Sequence, residues 1–188
     1  PKQGGRYWEK LATSLPGLNQ WHVPQGLVSA FQEMAMISMR HRIEYGTTDD
    51  QYADVAVAFR NHAIRNPNAV MRTPMTREDH HRSRMIAEPL RLFDCNIETD
   101  GAVAMILTGA ERARDFRQKP AYILAGAMAA GSHHIRLSTM FERSRDEDSP
   151  ARVARQLWET AGVKPADVDA AFFYDFFTSL VIIALEDY

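Results

Sequence analysis

A tyrosine and an aspartate directly follow a short apolar run near the end of this chain, and both side chains can take part in proton chemistry. Residues 170–173 are apolar, Tyr174 and Asp175 come next, and a second apolar segment begins at Phe176. The pattern predicts a buried β-strand that leads into a helix. Ligands of α/β sheets bind at the carboxyl ends of strands, and a phenol there can exchange a proton with a substrate. Tyr174 and Asp175 are therefore the candidate catalytic residues.

The same two residues also have a purely structural interpretation. Tyr174 would then be a core aromatic residue whose hydroxyl group is hydrogen-bonded, and Asp175 would be the N-cap of the helix that follows. The motif alone leaves both interpretations open.

Cys95 is the only cysteine of the chain and lies in a polar stretch, residues 94–102, before an Asp100-Gly101 turn signal. A thiolate attacks thioesters well, which makes Cys95 a candidate nucleophile. No histidine or helix N-terminus that would lower its pKa is evident nearby in the sequence. Because free cysteines are usually buried and unreactive, we expect Cys95 to be an inert thiol.

Two histidine pairs, His80-His81 and His133-His134, are poor templates for a metal site. Adjacent side chains point in different directions on a helix and on a strand, whereas metal ligands converge on one point. The sequence therefore predicts no metal ion.

Arginines recur between residues 72 and 91 and alternate with acidic residues, a pattern typical of a solvated face. A subset of them could bind a phosphate group, because a guanidinium pairs with two phosphate oxygens. The series is Arg72, Arg77, Arg82, Arg84 and Arg91.

The composition is that of an ordinary globular protein, with 188 residues, 45% hydrophobic and 24% charged. The formal net charge of -2 gives no electrostatic case for nucleic acid as a partner. No apolar run approaches the ~20 residues of a membrane span. A single cysteine excludes an intrachain disulfide and fits a cytoplasmic protein.

The order of predicted elements indicates an α/β layered fold with a largely helical excursion before the strands. Gly46 is placed to end the first long helix, and Thr48 with Gln51 forms a capping box for the next. Asn66-Pro67 ends that second helix. Thr76 followed by Asp79 predicts a further short helix that ends before Pro89. The other predicted helices are 27–45, 48–65, 110–116, 149–162 and 178–188, the predicted strands are 102–107, 122–126 and 170–174, and a charged linker is predicted over 143–148.

Five stretches, in this order along the chain, resemble the thiolase superfamily, specifically its sterol-carrier-protein or nonspecific lipid-transfer type. Each is weak alone, and the ordered set is fairly specific. They are EYGTTDDQ at 44–51 with RNHA at 60–63 and NP at 66–67, SRMIAEPLRLFDC at 83–95, DGAVA at 100–104, LW at 157–158 with AGV at 161–163 and Pro165, Asp167, Val168 and Asp169, and YDFFT at 174–178.

The resemblance implies that these residues form the central part of a longer thiolase-like chain. Residues 1–89 would end the N-terminal half and contain its helical loop region, 90–119 would hold the last strand and helix of that half, and 120–188 would begin the C-terminal half. The catalytic cysteine of the family would precede Pro1, and its late histidine and cysteine motifs would follow Tyr188. Cys95 does not match the position of the family's nucleophile.

The residue at position 174 departs from the acyl-transferring members of the family. Typical thiolases have Asn-Glu-Ala-Phe there and sterol-carrier-type thiolases have His-Asp-Cys-Phe, where this chain has Tyr174, Asp175, Phe176 and Phe177. The tyrosine resembles that of steroid-degrading lipid-transfer-protein aldolases, in which it transfers a proton. Asp175 is expected to orient Tyr174 or to cap the helix.

The function implied by this resemblance is retro-aldol cleavage of a β-hydroxyacyl-CoA, a steroid side-chain thioester, with release of a short acyl-CoA. Coenzyme A would be part of the substrate, and no cofactor would be tightly bound. A homodimer and a small OB-fold acyl-CoA-associated partner are also implied. The alternatives are a 3-ketoacyl-CoA thiolase and a non-catalytic thiolase-like subunit.

Overall fold

The computed structural model describes residue 17 and residues 19–129 and 149–188. Its seven α-helices and one β-hairpin are joined by turns and by long segments without regular structure. The elements are α1 (Asn19–His22), α2 (Ala30–Tyr45), α3 (Asp49–Arg65), α4 (Arg77–Arg82), β1 (Met85–Ala87), β2 (Leu90–Arg91), α5 (Ala110–Ala113), α6 (Ser149–Ala161) and α7 (Thr178–Asp187). Short 3-10 turns lie at Val23–Gln25, Leu92–Asp94 and Pro165–Asp167.

The predicted C-terminal end of α2 and the predicted start of α3 are confirmed. Each is determined by residues within one helical turn. Gly46 ends α2 with a left-handed φ of 74° and donates its backbone N–H to the carbonyl of Arg42. Thr48 begins α3: its hydroxyl accepts from the Gln51 backbone N–H, and the Gln51 side chain accepts from the Thr48 backbone N–H.

The main apolar core lies between α2, α7 and the hairpin. On α2 the buried residues Met34, Ile37 and His41 recur at helical spacing, so that they share one face. This face packs against the second strand and the start of the last helix, in a cluster formed by Met34, Ala35, Ile37, Leu90, Phe177, Leu180 and Ile183.

Helix α3 is joined to this core by a buried polar chain. The Tyr52 hydroxyl donates to the Ser38 carbonyl at 3.2 Å, and the Ser38 and Ser179 hydroxyl oxygens lie 2.7 Å apart. Burial raises the pKa of Tyr52 to about 12, so its phenol stays protonated and serves as a structural donor. Three helices are thus tied together at one point.

The predicted strands at 102–107, 122–126 and 170–174 are not formed in the described part of the chain. A β-strand requires a neighbour that pairs with its backbone groups, and none of these segments has one among the described residues. Their apolar side chains are exposed instead of buried, with Val103 at 91%, Ile106 at 90% and Phe172 at 98%. The hydrophobic pattern correctly marks apolar segments, but pairing is decided by tertiary contacts.

The charged linker predicted at 143–148 and the pair His133-His134 lie outside the described residues. The three predicted sections of the chain, 1–89, 90–119 and 120–188, stay a prediction. None of the helices in the described ranges combines the length and the apolar character needed to cross a bilayer.

Candidate functional site

A cleft of about 900 Å³ runs between one face of α3 and the segment that follows the hairpin, and it reaches the start of α7. One wall is apolar and the other carries charged and polar groups. The lining residues used below are Val55, Phe59, Arg60, Arg84, Asp94, Cys95, Asn96, Asp175 and Thr178.

The apolar wall follows from the repeat of α3. Tyr52 and Ala56 are buried, and Val55, Phe59 and Ala63 line the cleft. These residues have the helical spacing that the sequence predicts for one apolar face of this helix. The structure shows that the face is wide enough to serve both the core and the cleft.

The polar wall is made where two distant segments pair. The backbone N–H of Asn96 donates to the Phe176 carbonyl at 3.1 Å, and an isolated antiparallel bridge joins Cys95 to Phe177. This pairing brings the polar stretch after residue 93 beside the Tyr174-Asp175 motif. The sequence treats the two as separate candidates, whereas the structure makes them one site.

A fully buried carboxylate lies at the centre of this pairing. Asp94 Oδ1 accepts from His80 Nε2 at 2.7 Å and from the Thr178 hydroxyl at 2.6 Å, and Oδ2 accepts from the Arg91 backbone N–H at 2.7 Å. The side chains of His80 and Asp94 are 1% and 0% exposed. A carboxylate without water needs such donors to stay ionised.

The two ring nitrogens of His80 have different environments. Its Nε2 faces the Asp94 carboxylate. His80 therefore contacts Asp94 through one ring nitrogen, and its other ring nitrogen is buried without a partner among the described residues.

Tyr174 and Asp175 point to different sides of the chain. Asp175 lines the cleft, whereas Tyr174 does not and is 72% exposed. Successive side chains of an extended backbone alternate in direction, which separates two adjacent residues in this way. No hydrogen bond joins their side chains in the described structure, so Asp175 does not orient Tyr174 here.

The expectation that Asp175 caps the last helix is wrong. Helix α7 begins at Thr178, and its N-cap position is Phe177, which has no side-chain acceptor. The backbone pairing of residues 95 and 96 with residues 176 and 177 delays the start of the helix by holding those residues extended.

The Tyr174 ring is held by a series of aromatic contacts. It stacks on Phe176 with ring centroids 4.7 Å apart and an interplanar angle of 20°. Phe176 contacts Phe177 at 5.5 Å, and Phe177 contacts Phe31 of α2 at 5.8 Å. Because Phe177 is buried in the core, the ring position is anchored while the phenolic hydroxyl stays accessible.

Cys95 lies in the cleft wall but has the properties of an inert thiol. Burial, with a smaller contribution from the Asp94 carboxylate, raises the pKa of Cys95 to about 12. Its sulfur is 3.4 Å from the Arg91 carbonyl oxygen, to which the protonated thiol donates. A nucleophilic role would need the thiolate, which this environment disfavours.

The arginine series divides into structural and cleft-facing members. Arg77 pairs with Asp54, Arg82 with Glu78, and Arg91 donates to the Ser83 carbonyl. Arg84 is exposed at the cleft and makes no side-chain hydrogen bond within the described ranges. It is the member of the series that is placed to meet a phosphate group.

Arg60 adds a second cationic group to the cleft. It donates to the Thr73 carbonyl at 2.7 Å and lies over the Phe93 ring, 5.6 Å from the centroid. An apolar wall with two guanidinium groups suits a ligand that has both an apolar body and anionic groups.

The histidine pair on α4 points to two different partners. His80 contacts Asp94, whereas His81 Nε2 is 2.8 Å from an oxygen of Asp50. No group of three or more potential metal ligands comes together in the part of the chain that is described.

Comparisons with known proteins find relatives that match most of this chain. The chain is 42% identical over 171 residues to the 17-hydroxy-3-oxo-4-pregnene-20-carboxyl-CoA lyase of Mycobacterium tuberculosis, which covers 90% of this chain and 44% of the relative. It is 39% identical over 188 residues to the steroid side-chain-cleaving aldolase of Thermomonospora curvata, covering 98% of this chain and 47% of the relative. No protein-family profile matches the chain.

A solved structure shares the fold as well. The structure, an Ltp2-ChsH2(DUF35) aldolase, superposes with a TM-score of 0.82 at 37% identity and covers 100% of this chain and 47% of that one. An acetyl-CoA acetyltransferase of Methanothermobacter thermautotrophicus is 37% identical over 169 residues, which are 89% of this chain and 43% of that relative. The chain belongs to the thiolase superfamily. The predicted thiolase-like α/β fold class is therefore confirmed, and the chain spans about half the length of the curated relatives that it matches.

The buried His80, Asp94 and Thr178 are the site residues that sequence reasoning missed. Asp94 lies in the polar stretch 94–102, but nothing in that stretch distinguishes it from a solvated carboxylate. A histidine and an aspartate separated by 14 positions, with a threonine 84 positions further on, give no local spacing signal. Only the fold brings them into contact.

Proposed function

We propose that this chain is part of a thiolase-fold carbon–carbon lyase that cleaves a β-hydroxyacyl-CoA, a steroid side-chain thioester, by a retro-aldol reaction. The observation that carries the proposal is the identity of 42% over 90% of the chain with a relative named as a steroid CoA lyase. The mixed cleft supports it, because a steroid thioester has a large apolar body and an anionic coenzyme A portion.

The proposed reaction needs a base and a site that stabilises an enolate. The base takes the proton of the β-hydroxyl group, the bond between the α and β carbons breaks, and a carbonyl forms at the β carbon. The electron pair passes to the thioester as an enolate, which is then protonated to the shorter acyl-CoA. Donors aimed at the thioester oxygen stabilise the enolate. No tightly bound cofactor is required.

Tyr174 is the proposed proton-transferring residue. Its ring is held by Phe176, and its hydroxyl is accessible and free of a side-chain partner in the described structure. Asp175, the next residue along the chain, lines the cleft and is proposed as a lining residue of the substrate site. The proposed roles of the two residues therefore differ from the orienting pair that the sequence suggests.

The proposed partners are based on the solved structure that matches this chain. The matching solved structure is named as a complex of two components, Ltp2 and ChsH2(DUF35), which supports a partner subunit for this protein. The finer proposals are that this subunit is a small OB-fold acyl-CoA-associated protein, that the lyase is a homodimer, and that it works in the cytoplasm.

The decisive experiment compares Tyr174→Phe with wild type in the complete protein that contains this chain. The substitution keeps the ring and its stacking but removes the hydroxyl group. We expect the turnover to fall by about a hundredfold to ten-thousandfold while the fold is kept. The assay follows release of a short acyl-CoA from a β-hydroxyacyl-CoA without added coenzyme A.

Tyr45→Phe is the matched control, since Tyr45 is a half-exposed tyrosine at the end of α2, outside the segment that contains Tyr174 and Asp175. It should keep near-wild-type turnover. Near-wild-type cleavage by Tyr174→Phe would refute the role of the tyrosine. An absolute requirement for free coenzyme A would refute the lyase and favour an acyl-transferring thiolase, the activity suggested by the similarity to an acetyl-CoA acetyltransferase.

A further inference from the structure

The buried group His80, Asp94 and Thr178 is connected to the proposed catalytic segment through the backbone. Thr178 is the first residue of α7 and lies four positions after Tyr174. Its hydroxyl donates to Asp94, and the next two residues of the Asp94 segment pair with Phe176 and Phe177. We name these contacts between residues 94–96 and 176–178 the Asp94 clamp.

Asp94, the first residue of the clamp, joins three elements of the described structure. Asp94 ends the turn that follows the hairpin, His80 belongs to α4, and Thr178 begins α7. Both Asp94 and Thr178 also line the cleft. A shift of Asp94 would therefore move the start of α7 and the residues directly before it.

The chemistry of the clamp suits a positioning role better than a catalytic one. Each oxygen of Asp94 is engaged by a donor from the protein, and the carboxylate is buried. Such a group is shielded from a substrate by its burial and its donors, and it can hold those donors in a narrow range of positions.

We propose that Asp94 is a positioning residue for Tyr174, acting through Thr178 and held in place by its hydrogen bonds with His80 and the Arg91 backbone. This inference rests on the proposed lyase function. The carboxylate fixes the first residue of α7, the backbone pairing keeps residues 176 and 177 extended, and the Phe176 ring then sets the place of the Tyr174 ring.

Thr178→Val tests the clamp in the complete protein, because it removes the hydroxyl group and keeps the shape of the side chain. We expect kcat to fall by about a hundredfold, the loss that a misplacement of about 1 Å produces, with a change in KM of less than roughly threefold. Thr178→Ser restores the donor and should restore most of kcat. Thr178→Ala is the substitute if the valine variant does not fold.

Ser179→Ala is the matched control. Ser179 is the next residue of α7, is 1% exposed, and shares a buried hydrogen bond with Ser38 of α2 away from the clamp. It should lose stability as Thr178→Val does but keep its kcat. An unchanged kcat in Thr178→Val, or an equal fall in both variants, would overturn the proposal.

Amide hydrogen exchange separates this inference from the proposed function. Peptides that cover residues 94–99 and 172–178 should exchange faster in Thr178→Val than in wild type or Ser179→Ala, whatever the enzyme cleaves. Wild type that does not cleave a β-hydroxyacyl-CoA would refute the proposed function alone. Unchanged exchange in Thr178→Val would refute the clamp alone.

Discussion

At the scale of single residues, burial determines the reactivity of the Cys95 thiol, although this residue lies in the wall of the cleft. Cys95 is half-buried there and directly follows Asp94. Both features raise its pKa, and desolvation is the larger cause. The thiol therefore stays protonated at any pH at which the protein would work.

Cys95→Ala in the complete protein should keep most of the turnover and lose a little stability from the small cavity. A direct measurement of the thiol is its rate of alkylation at pH 8. With a pKa of about 12, folded Cys95 should react roughly a thousandfold more slowly than the same residue in denaturant. Rapid alkylation of the folded protein, or loss of activity in a folded alanine variant, would revive the nucleophile.

The sign of the pH effect on folding follows from the same shift. The folded state holds the Cys95 proton more tightly than the unfolded state, whose thiol has an ordinary pKa. The resulting stabilisation is complete below the ordinary value near 9 and is lost as the pH rises towards about 12.

At the scale of elements, α3 is the helix that carries the apolar wall of the cleft. Its start depends on the reciprocal hydrogen bonds of Thr48 and Gln51, with the Gln51 side chain 2.7 Å from the Thr48 backbone nitrogen. Two acidic residues, Asp49 and Asp50, follow in the first turn and favour the same helix start.

Thr48→Ala removes the capping hydroxyl and should lower the free energy of unfolding by about 1 kcal/mol. Denaturant unfolding of the complete protein measures the change. Thr48→Ser keeps the acceptor oxygen and should stay close to wild type. Equal stability of the alanine variant and wild type would show that tertiary packing alone sets the start of α3.

At the scale of the whole molecule, the described structure consists of a packed part and a part whose apolar side chains are exposed. The helices and the hairpin bury a common core, whereas residues 102–107, 122–126 and 172–174 expose apolar side chains without backbone pairing. Exposed apolar segments with free backbone groups readily pair with other chains.

The isolated 188-residue chain is therefore expected to aggregate or to require a partner for solubility. Size-exclusion chromatography and thermal unfolding measure this directly. Replacing the exposed Val103 and Ile106 with lysine should shift the isolated chain towards smaller species, because charge opposes strand association. A monodisperse monomer of the unsubstituted chain with a cooperative melting transition would contradict the expectation.

Local chemistry made several features predictable from the sequence alone. The stop at Gly46, the capping box at Thr48 and the break at Asn66 depend on residues within one turn of each other, and all three occur where predicted. The inert character of Cys95 and the family resemblance were also accessible, because both follow from neighbouring residues or from ordered motifs.

The arrangement of the site needed the tertiary structure. Strand pairing at residues 102–107 depends on a partner segment and not on the apolar run itself, so periodicity alone predicted strands that the described chain does not form. Likewise, Asp175 reaches the cleft without Tyr174, and His80 and Thr178 both contact the buried Asp94, because contacts across up to 84 positions decide where each side chain lies. Spacing along a chain encodes helix faces and caps, but a buried carboxylate and its donors are brought together only by the packing of distant elements.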